Sequence, residues 1–176
     1  SSGVVSGAVL FDGTTYHLWY AGARTQWPDT DIGYATSPDG VTWTKHPDNP
    51  VLVRQGTWDS GGIFPGAVVW DGATYRMWYI NTSGSVTQTG YATSPDGVTW
   101  TPWPDPVLTP GGPGSWDEDN AHIHAVLAEG GIYHAWYNGT SAGASWEEIG
   151  YATSPDGVTW TKYPDSVLTR DGTGWD

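Results

Sequence analysis

"GYATSPDGVTWT" fills residues 33–44 and returns, without a substitution, at 90–101 and 150–161. Twelve residues kept identical three times in a chain of 176 mark a structural period, which has to be read before any single residue is interpreted. Ahead of each copy stands a related stretch: "GAVLFDGTTYHLWY" at 7–20, "GAVVWDGATYRMWY" at 66–79 and "HAVLAEGGIYHAWY" at 124–137. Behind each copy a Trp-Asp pair closes the unit, at Trp58-Asp59, Trp116-Asp117 and Trp175-Asp176. The chain therefore reads as three units, 1–59, 60–117 and 118–176, with almost no remainder.

Each unit predicts four strands. An apolar run (7–11, 66–70, 124–128) ends in Asp-Gly or Glu-Gly-Gly, the chemistry of a tight hairpin turn. The aromatic stretch "TYHLWY", "TYRMWY" or "IYHAWY" follows and suits a pleat packed on both faces. After a loop of variable length comes "GYATS", and Pro-Asp-Gly turns the chain into "VTWT". In that turn Pro fits the first central position, Asp accepts bonds from the following amides, Gly takes the positive φ, and Trp folds back over the hairpin. No long apolar stretch has helical period, so no helix is expected. The 13 Trp and 10 Tyr beside 25 Gly and 13 Pro are the composition of many short strands joined by tight turns. Four antiparallel strands in a repeated unit of about 40–60 residues predict an all-β fold, a β-propeller with three four-stranded antiparallel blades per chain. The threefold motif itself is scaffold, because catalysis needs one asymmetric constellation rather than three identical ones.

Only 6 Lys and Arg stand against 19 Asp and Glu, a net charge of -13. Phosphate backbones and anionic lipid surfaces reward clustered positive charge, so neither nucleic acid nor a membrane is expected as partner. No apolar run approaches the roughly 20 residues of a membrane span. With no Cys, disulfides and thiolate metal sites are excluded. A cysteine-free chain suits an oxidising compartment without demonstrating one, so the location stays open, with secreted or periplasmic slightly favoured. The N-terminus lacks the basic-then-apolar order of a leader.

"SPDGVTW" is similar to the Asp-box hairpin of sialidases, one residue short of its usual form. It is more similar to the hairpins of the five-bladed glycoside hydrolases of families 43, 32 and 62. The units "GAVVWDGATYRMWY" and "GYATSPDGVTWTKYPDSVL" look like blades from bacterial members of that superfamily, and the resemblance covers the whole chain. It implies that the first strand of each blade lines a central axis, where an Asp general base, an orienting Asp and a Glu general acid would act near the strand's beginning. The positions matching that pattern are Ser6, Pro65 and Ile123, none of which transfers a proton. Hydrolysis of a glycosidic bond needs two carboxyl groups. The resemblance therefore implies a carbohydrate-binding propeller without the usual catalytic carboxylates. The alternatives are an active glycoside hydrolase of the arabinofuranosidase, xylosidase or fructosidase kind, and a structural or fragmentary repeat protein whose main property is self-assembly.

By the same resemblance, the loops between units and those joining second to third strands open on the sugar-binding face. They carry Asp59, Asp117, Glu118 and Asp119 in the first class, and Asp29, Asp31, Glu147 and Glu148 in the second. "QWPDTD" (26–31) and "SWEE" (145–148) place Trp27 and Trp146 beside carboxylates, so that an aromatic ring could stack on a sugar while the acids accept hydroxyl bonds. The third unit departs most. Its "WDEDNAHIHAV" puts His122 and His124 on alternate residues of a strand, hence on one face near the axis. Together with Asp119 these histidines form a weak metal candidate, and no cofactor is otherwise expected. Ligand contacts are expected from Trp27, Asp29, Asp31, Asp59, Asp117, His122, His124 and Trp146. If a reaction exists, its candidates are Asp119, Glu118, Glu147 and Glu148.

Three blades alone leave two apolar flanks uncovered. Because the chain comprises whole units, two copies joined head to tail would close a homodimeric ring of six blades. A piece of a longer, five-bladed protein is the alternative.

Overall fold

The computed structural model describes residues 3–23, 29–56, 58–82 and 86–170. Twelve strands follow one another: β1 (Val4–Phe11), β2 (Tyr16–Ala23), β3 (Thr30–Ser37), β4 (Thr44–Lys45), β5 (Ile63–Trp70), β6 (Tyr75–Asn81), β7 (Thr89–Ser94), β8 (Thr101–Pro102), β9 (Asn120–Glu129), β10 (Ile132–Thr140), β11 (Glu148–Ser154) and β12 (Thr161–Lys162). They form three four-stranded sheets, β1-β2-β3-β4, β5-β6-β7-β8 and β9-β10-β11-β12, antiparallel throughout. The all-β class and the four-strand unit expected from the sequence are both present. Among the described residues no helix is long and apolar enough to cross a membrane.

The repeated motif folds as its turn chemistry requires. Asp39 Oδ1 accepts the amides of Val41 and Thr42 at 2.8 and 2.7 Å, and Ser37 Oγ accepts the amide of Gly40 at 2.9 Å. The same bonds recur around Asp96 and Asp156. Gly40, Gly97 and Gly157 have φ of 76°, 77° and 82°, a region that L side chains seldom enter.

First strands of successive sheets lie side by side, β1 against β5 and β5 against β9, while the short outer strands do not touch one another. The sheets thus splay as a fan about the edge made by β1, β5 and β9. Between the first two sheets, Trp19, Ile32 and Tyr34 pack on Ile63, Met77, Tyr79, Ala92 and Trp100. Between the second and third, Ala67, Trp78 and Tyr91 pack on Ala121, Ile123, Ala135, Tyr137 and Ala152. Trp19 donates its indole N–H to the carbonyl of Gly97, and Trp78 to that of Gly157, each at 2.8 Å. One tryptophan therefore fastens each sheet to the hairpin of the next, and both are fully buried.

The Trp-Asp pairs also join sheets. Trp58 stacks on Tyr79 at 5.8 Å between centroids, and its indole N–H reaches the Pro104 carbonyl at 3.1 Å. Trp116 does the same with Tyr137 and Pro164. Gly90 and Gly150 admit these rings: a Cβ on either would stand 2.5 Å from the indole. Trp175-Asp176 lies outside the described residues.

Candidate functional site

The connections between sheets and the loops joining second to third strands come together at one end of the fan, where the first strands begin. Asn81 Nδ2 donates to the Trp58 carbonyl, and the Thr87 amide to the Asp119 carbonyl at 3.2 Å. Asp29 and Asp31 meet here through Arg54, whose Nη1 lies 2.6 Å from Asp29 and whose Nε lies 3.8 Å from the buried Asp31. Trp27 lies outside the described residues.

Asp59 and Asp117 were expected at the rim as ligand contacts. They are 1% and 3% exposed. Asp59 accepts the amides of Gln55 and Gly56 at 2.8 and 3.0 Å, a loop cap. Asp117 takes the Lys162 ammonium at 2.5 Å and the Tyr137 hydroxyl at 3.1 Å. Burial lifts the Tyr137 phenol well above its ordinary range, with the Asp117 charge adding to the effect. Both carboxylates are thus taken up by the fold, for the physical reason that a buried charge must be bonded.

The third sheet differs. Each first strand carries a register shift near its start: between Val5 and Gly7, between Pro65 and Ala67, and opposite the step from Trp136 to Tyr137, where His124 is the extra residue. A bulge of this kind re-aims a side chain. In the second sheet the corresponding residue is Gly66, and a Cβ there would stand 2.0 Å from the Ile123 carbonyl oxygen of the next strand. In the third sheet His124 fills the position and is exposed. Pro65 and Ile123, two of the positions aligned with the family's carboxylates, are buried between sheets. The side chain of the third, Ser6, lies outside the described residues.

His122 and His124 meet edge to face with ring centroids 6.2 Å apart. His122 Nε2 shares a 2.6 Å hydrogen bond with Thr87 Oγ1 from the second sheet. Asn138, paired with His122 across β9 and β10, donates to the Glu147 carboxylate. Burial, then the neighbouring His124, lowers His122 to about 4, while the Glu147 charge opposes the shift. Desolvation also lowers His124 against the same carboxylate, although the residue as a whole is exposed. Near neutrality both imidazoles are therefore uncharged, each with one donor and one acceptor nitrogen. Beside them stand an anionic acceptor and a carboxamide, a set suited to neutral hydroxyl-rich ligands.

The other candidates lie around this cluster. Glu118 accepts the Gly114 amide at 2.8 Å, and Glu148 opens β11 opposite Gly139. Asp119 is tied through its backbone to Thr87 and Thr140. Among the described residues no group of three or more His, Asp or Glu could hold a metal, so Asp119 and the two histidines do not converge as metal ligands. Trp146 is exposed, with the Arg170 guanidinium 5.7 Å from its ring centroid. Thr87 and Asn138 were missed from sequence. One signal was available for Thr87: Thr30, Thr87 and Glu147 each stand three residues before the glycine of "GYATS".

No protein-family model matches the chain. Uncharacterized proteins of Mycobacterium tuberculosis strains CDC 1551 / Oshkosh and H37Rv are each 35% identical over 141 residues, covering 77% of this chain and 46% of their own length. The chain thus spans less than half of the curated relatives it matches. Fructan 1-exohydrolase IIa from Cichorium intybus superposes with a TM-score of 0.72 at 22% identity, covering 99% of this chain and 36% of that one. A family 117 glycoside hydrolase from Zobellia galactanivorans gives 0.70 at 21%, covering 92% and 54%. Sucrose-6-phosphate hydrolase from Lactobacillus gasseri gives 0.73 at 17%, covering 94% and 36%. The expected resemblance to β-propeller glycoside hydrolases therefore holds at the level of the fold.

Proposed function

We propose that this chain belongs to a carbohydrate-binding propeller that takes sugar at the polar cluster of His122, His124, Asn138, Glu147 and Thr87. The observation that carries the reading is the asymmetry of the third sheet. His122 stands where the second sheet has the buried Phe64, and His124 where it has Gly66. Replacing a buried phenylalanine, a glycine and a threonine by two neutral imidazoles and a carboxylate gains nothing for stability, so a ligand is the better reason for it. Asp29, Asp31 and Trp146 border the same end and complete the rim in this reading. Positions Ser6, Pro65 and Ile123 leave the usual axial carboxylates unfilled. Calorimetric titration with arabino-, xylo- and fructo-oligosaccharides tests the proposal. Saturable binding weakened by His122→Phe and Glu147→Gln is expected, and no heat with any of them at millimolar concentration overturns it.

Glycoside hydrolysis is the second reading, favoured by the placement of Glu147 beside two imidazoles held neutral. It predicts turnover of aryl arabinosides, xylosides or fructosides that is lost in Glu147→Gln or Asp119→Asn. We also infer that the units 1–59, 60–117 and 118–176 are blades and that two chains join head to tail in a six-bladed ring. The lock made from Trp19 to the Gly97 turn and again from Trp78 to the Gly157 turn supports reading the units as blades. A purely structural repeat would form such a ring and ignore every sugar.

A further inference from the structure

The seam between the second and third sheets lies inside the chain, and Thr87 is fastened into it by its main chain. Its amide donates to the Asp119 carbonyl at 3.2 Å and its carbonyl accepts the Ala121 amide at 3.1 Å, so the residue is clamped astride Asn120. From that fixed backbone its Oγ1 lies 2.6 Å from His122 Nε2. A hydroxyl and a neutral imidazole nitrogen share such a bond in one of two ways, with the hydrogen supplied by either side. Neighbouring bonds decide between them. Thr30, which holds the same place in the first unit, donates to the Ile63 carbonyl at 3.1 Å. In the third sheet the carbonyl matching that of Ile63 belongs to Ala121, and Thr89 Oγ1 already donates to it at 2.7 Å. Asn120 Oδ1 is buried without a hydrogen-bond partner, so the Thr87 hydrogen does not go there either. Among the described residues, His122 Nε2 is the acceptor that the Thr87 hydroxyl meets.

We infer that Thr87 donates to His122 Nε2 and so holds this imidazole in the tautomer that carries its proton on Nδ1, the reverse of the form that free histidine prefers. Thr87 is then a positioning residue, acting on a ligand through His122. The consequence for a ligand rests on the sugar-binding reading above, whereas the tautomer is a property of the chain itself. Burial, and then His124, hold His122 at about 4, so near neutrality the ring has a single proton to place. With Nε2 occupied by Thr87, the Nδ1–H faces away from that residue and has no acceptor among the described residues. In the same cluster Asn138 gives its Nδ2–H to Glu147, which leaves Asn138 Oδ1 as an acceptor. A donor beside a neutral and an anionic acceptor is what a sugar hydroxyl needs. It accepts from Nδ1 and gives its own hydrogen to Asn138 or Glu147. The opposite tautomer would set a bare Nδ1 among acceptors, an arrangement suited to a cation instead.

Long-range proton–nitrogen NMR of the isotope-labelled chain at pH 7 reads the tautomer directly, because a protonated ring nitrogen and a bare one resonate far apart. His122→Phe assigns the signals. A protonated Nδ1 and a bare Nε2 are expected for the chain and for Thr87→Ser, which keeps the hydroxyl. Thr87→Val has the same shape without the hydroxyl and should move the proton toward Nε2, with the ring signals of His17, His46 and His134 unmoved as a check on folding. The unaltered chain and Thr87→Ser decide the tautomer whether or not Thr87→Val folds. A bare Nδ1 in the unaltered chain, or a tautomer that a folded Thr87→Val leaves unchanged, overturns the inference. Calorimetry with the arabino-, xylo- or fructo-oligosaccharide that binds reads the consequence. Affinity should fall about tenfold in Thr87→Val, as for one lost hydrogen bond, and be kept in Thr87→Ser. Unchanged affinity beside an altered tautomer overturns the positioning role. No heat with any of these sugars overturns the sugar-binding reading and leaves the tautomer result standing.

Discussion

The indole N–H of Trp78 donates to the Gly157 carbonyl over 2.8 Å, from the second strand of one sheet to the hairpin of the next. The ring is fully buried between the sheets and meets Trp160 edge to face at 6.0 Å between centroids. Trp78→Ala is expected to cost about 3–5 kcal/mol, the range for emptying a large aromatic site in a core. Trp70→Ala, at an exposed strand end, should cost much less. Chemical denaturation of the two variants checks the contrast.

Gly66 gives a second test, because the obstacle to a side chain there is backbone. Gly66→Ala places a methyl 2.0 Å from the Ile123 carbonyl oxygen, which cannot swing aside. The expected loss is about 1–3 kcal/mol or more, as for overpacking. Gly112→Ala meets nothing within 4 Å and should be close to neutral. Thermal melts of the pair decide it.

The hairpin aspartates set the acid limit. The amides of Thr159 and Val158 hold Asp156 at about 2. At Asp96 burial pushes upward but is outweighed by the amides of Thr99 and Val98, again giving about 2. Both lie below the ordinary value of 3.8, so their contribution is complete above about pH 4 and is lost as pH falls toward 2. The melting temperature should therefore fall through that window, and Asp156→Asn should flatten part of the fall.

His122 works at higher pH. Its folded value of about 4 lies below the unfolded 6.5, so stability is complete above 6.5 and declines as pH drops toward 4. His124 and Glu147 face the same ring, the histidine disfavouring its charge and the carboxylate favouring it. His122→Phe restores the side chain found at position 64 and should remove this slope, up to roughly 3 kcal/mol at full protonation. Denaturation midpoints at pH 7 and 5 for both chains measure it.

The fold was legible because its signal is repeated. Three identical "SPDGVTW" hairpins and three aromatic strands fix strand number and order without any long-range information. The candidate site was legible only where chemistry departs from the repeat, at His122, His124 and Glu147. Asn138 and Thr87 enter from a partner strand and from the preceding sheet, and their arrival depends on register and on the bulge at His124, which no local pattern reveals. Asp59 and Asp117 misled for the converse reason. An acidic residue in a loop looks like a rim contact until burial shows that amides and Lys162 have claimed it.

Sugar binding at the third sheet's polar cluster would be felt first by its own imidazoles. Its most direct test is histidine-ring NMR during titration with an arabino- or fructo-oligosaccharide that gives heat in calorimetry. Saturable shifts of the His122 and His124 ring signals are expected, with those of His17 and His46 unmoved. Saturable binding that leaves both rings of the cluster undisturbed would contradict it.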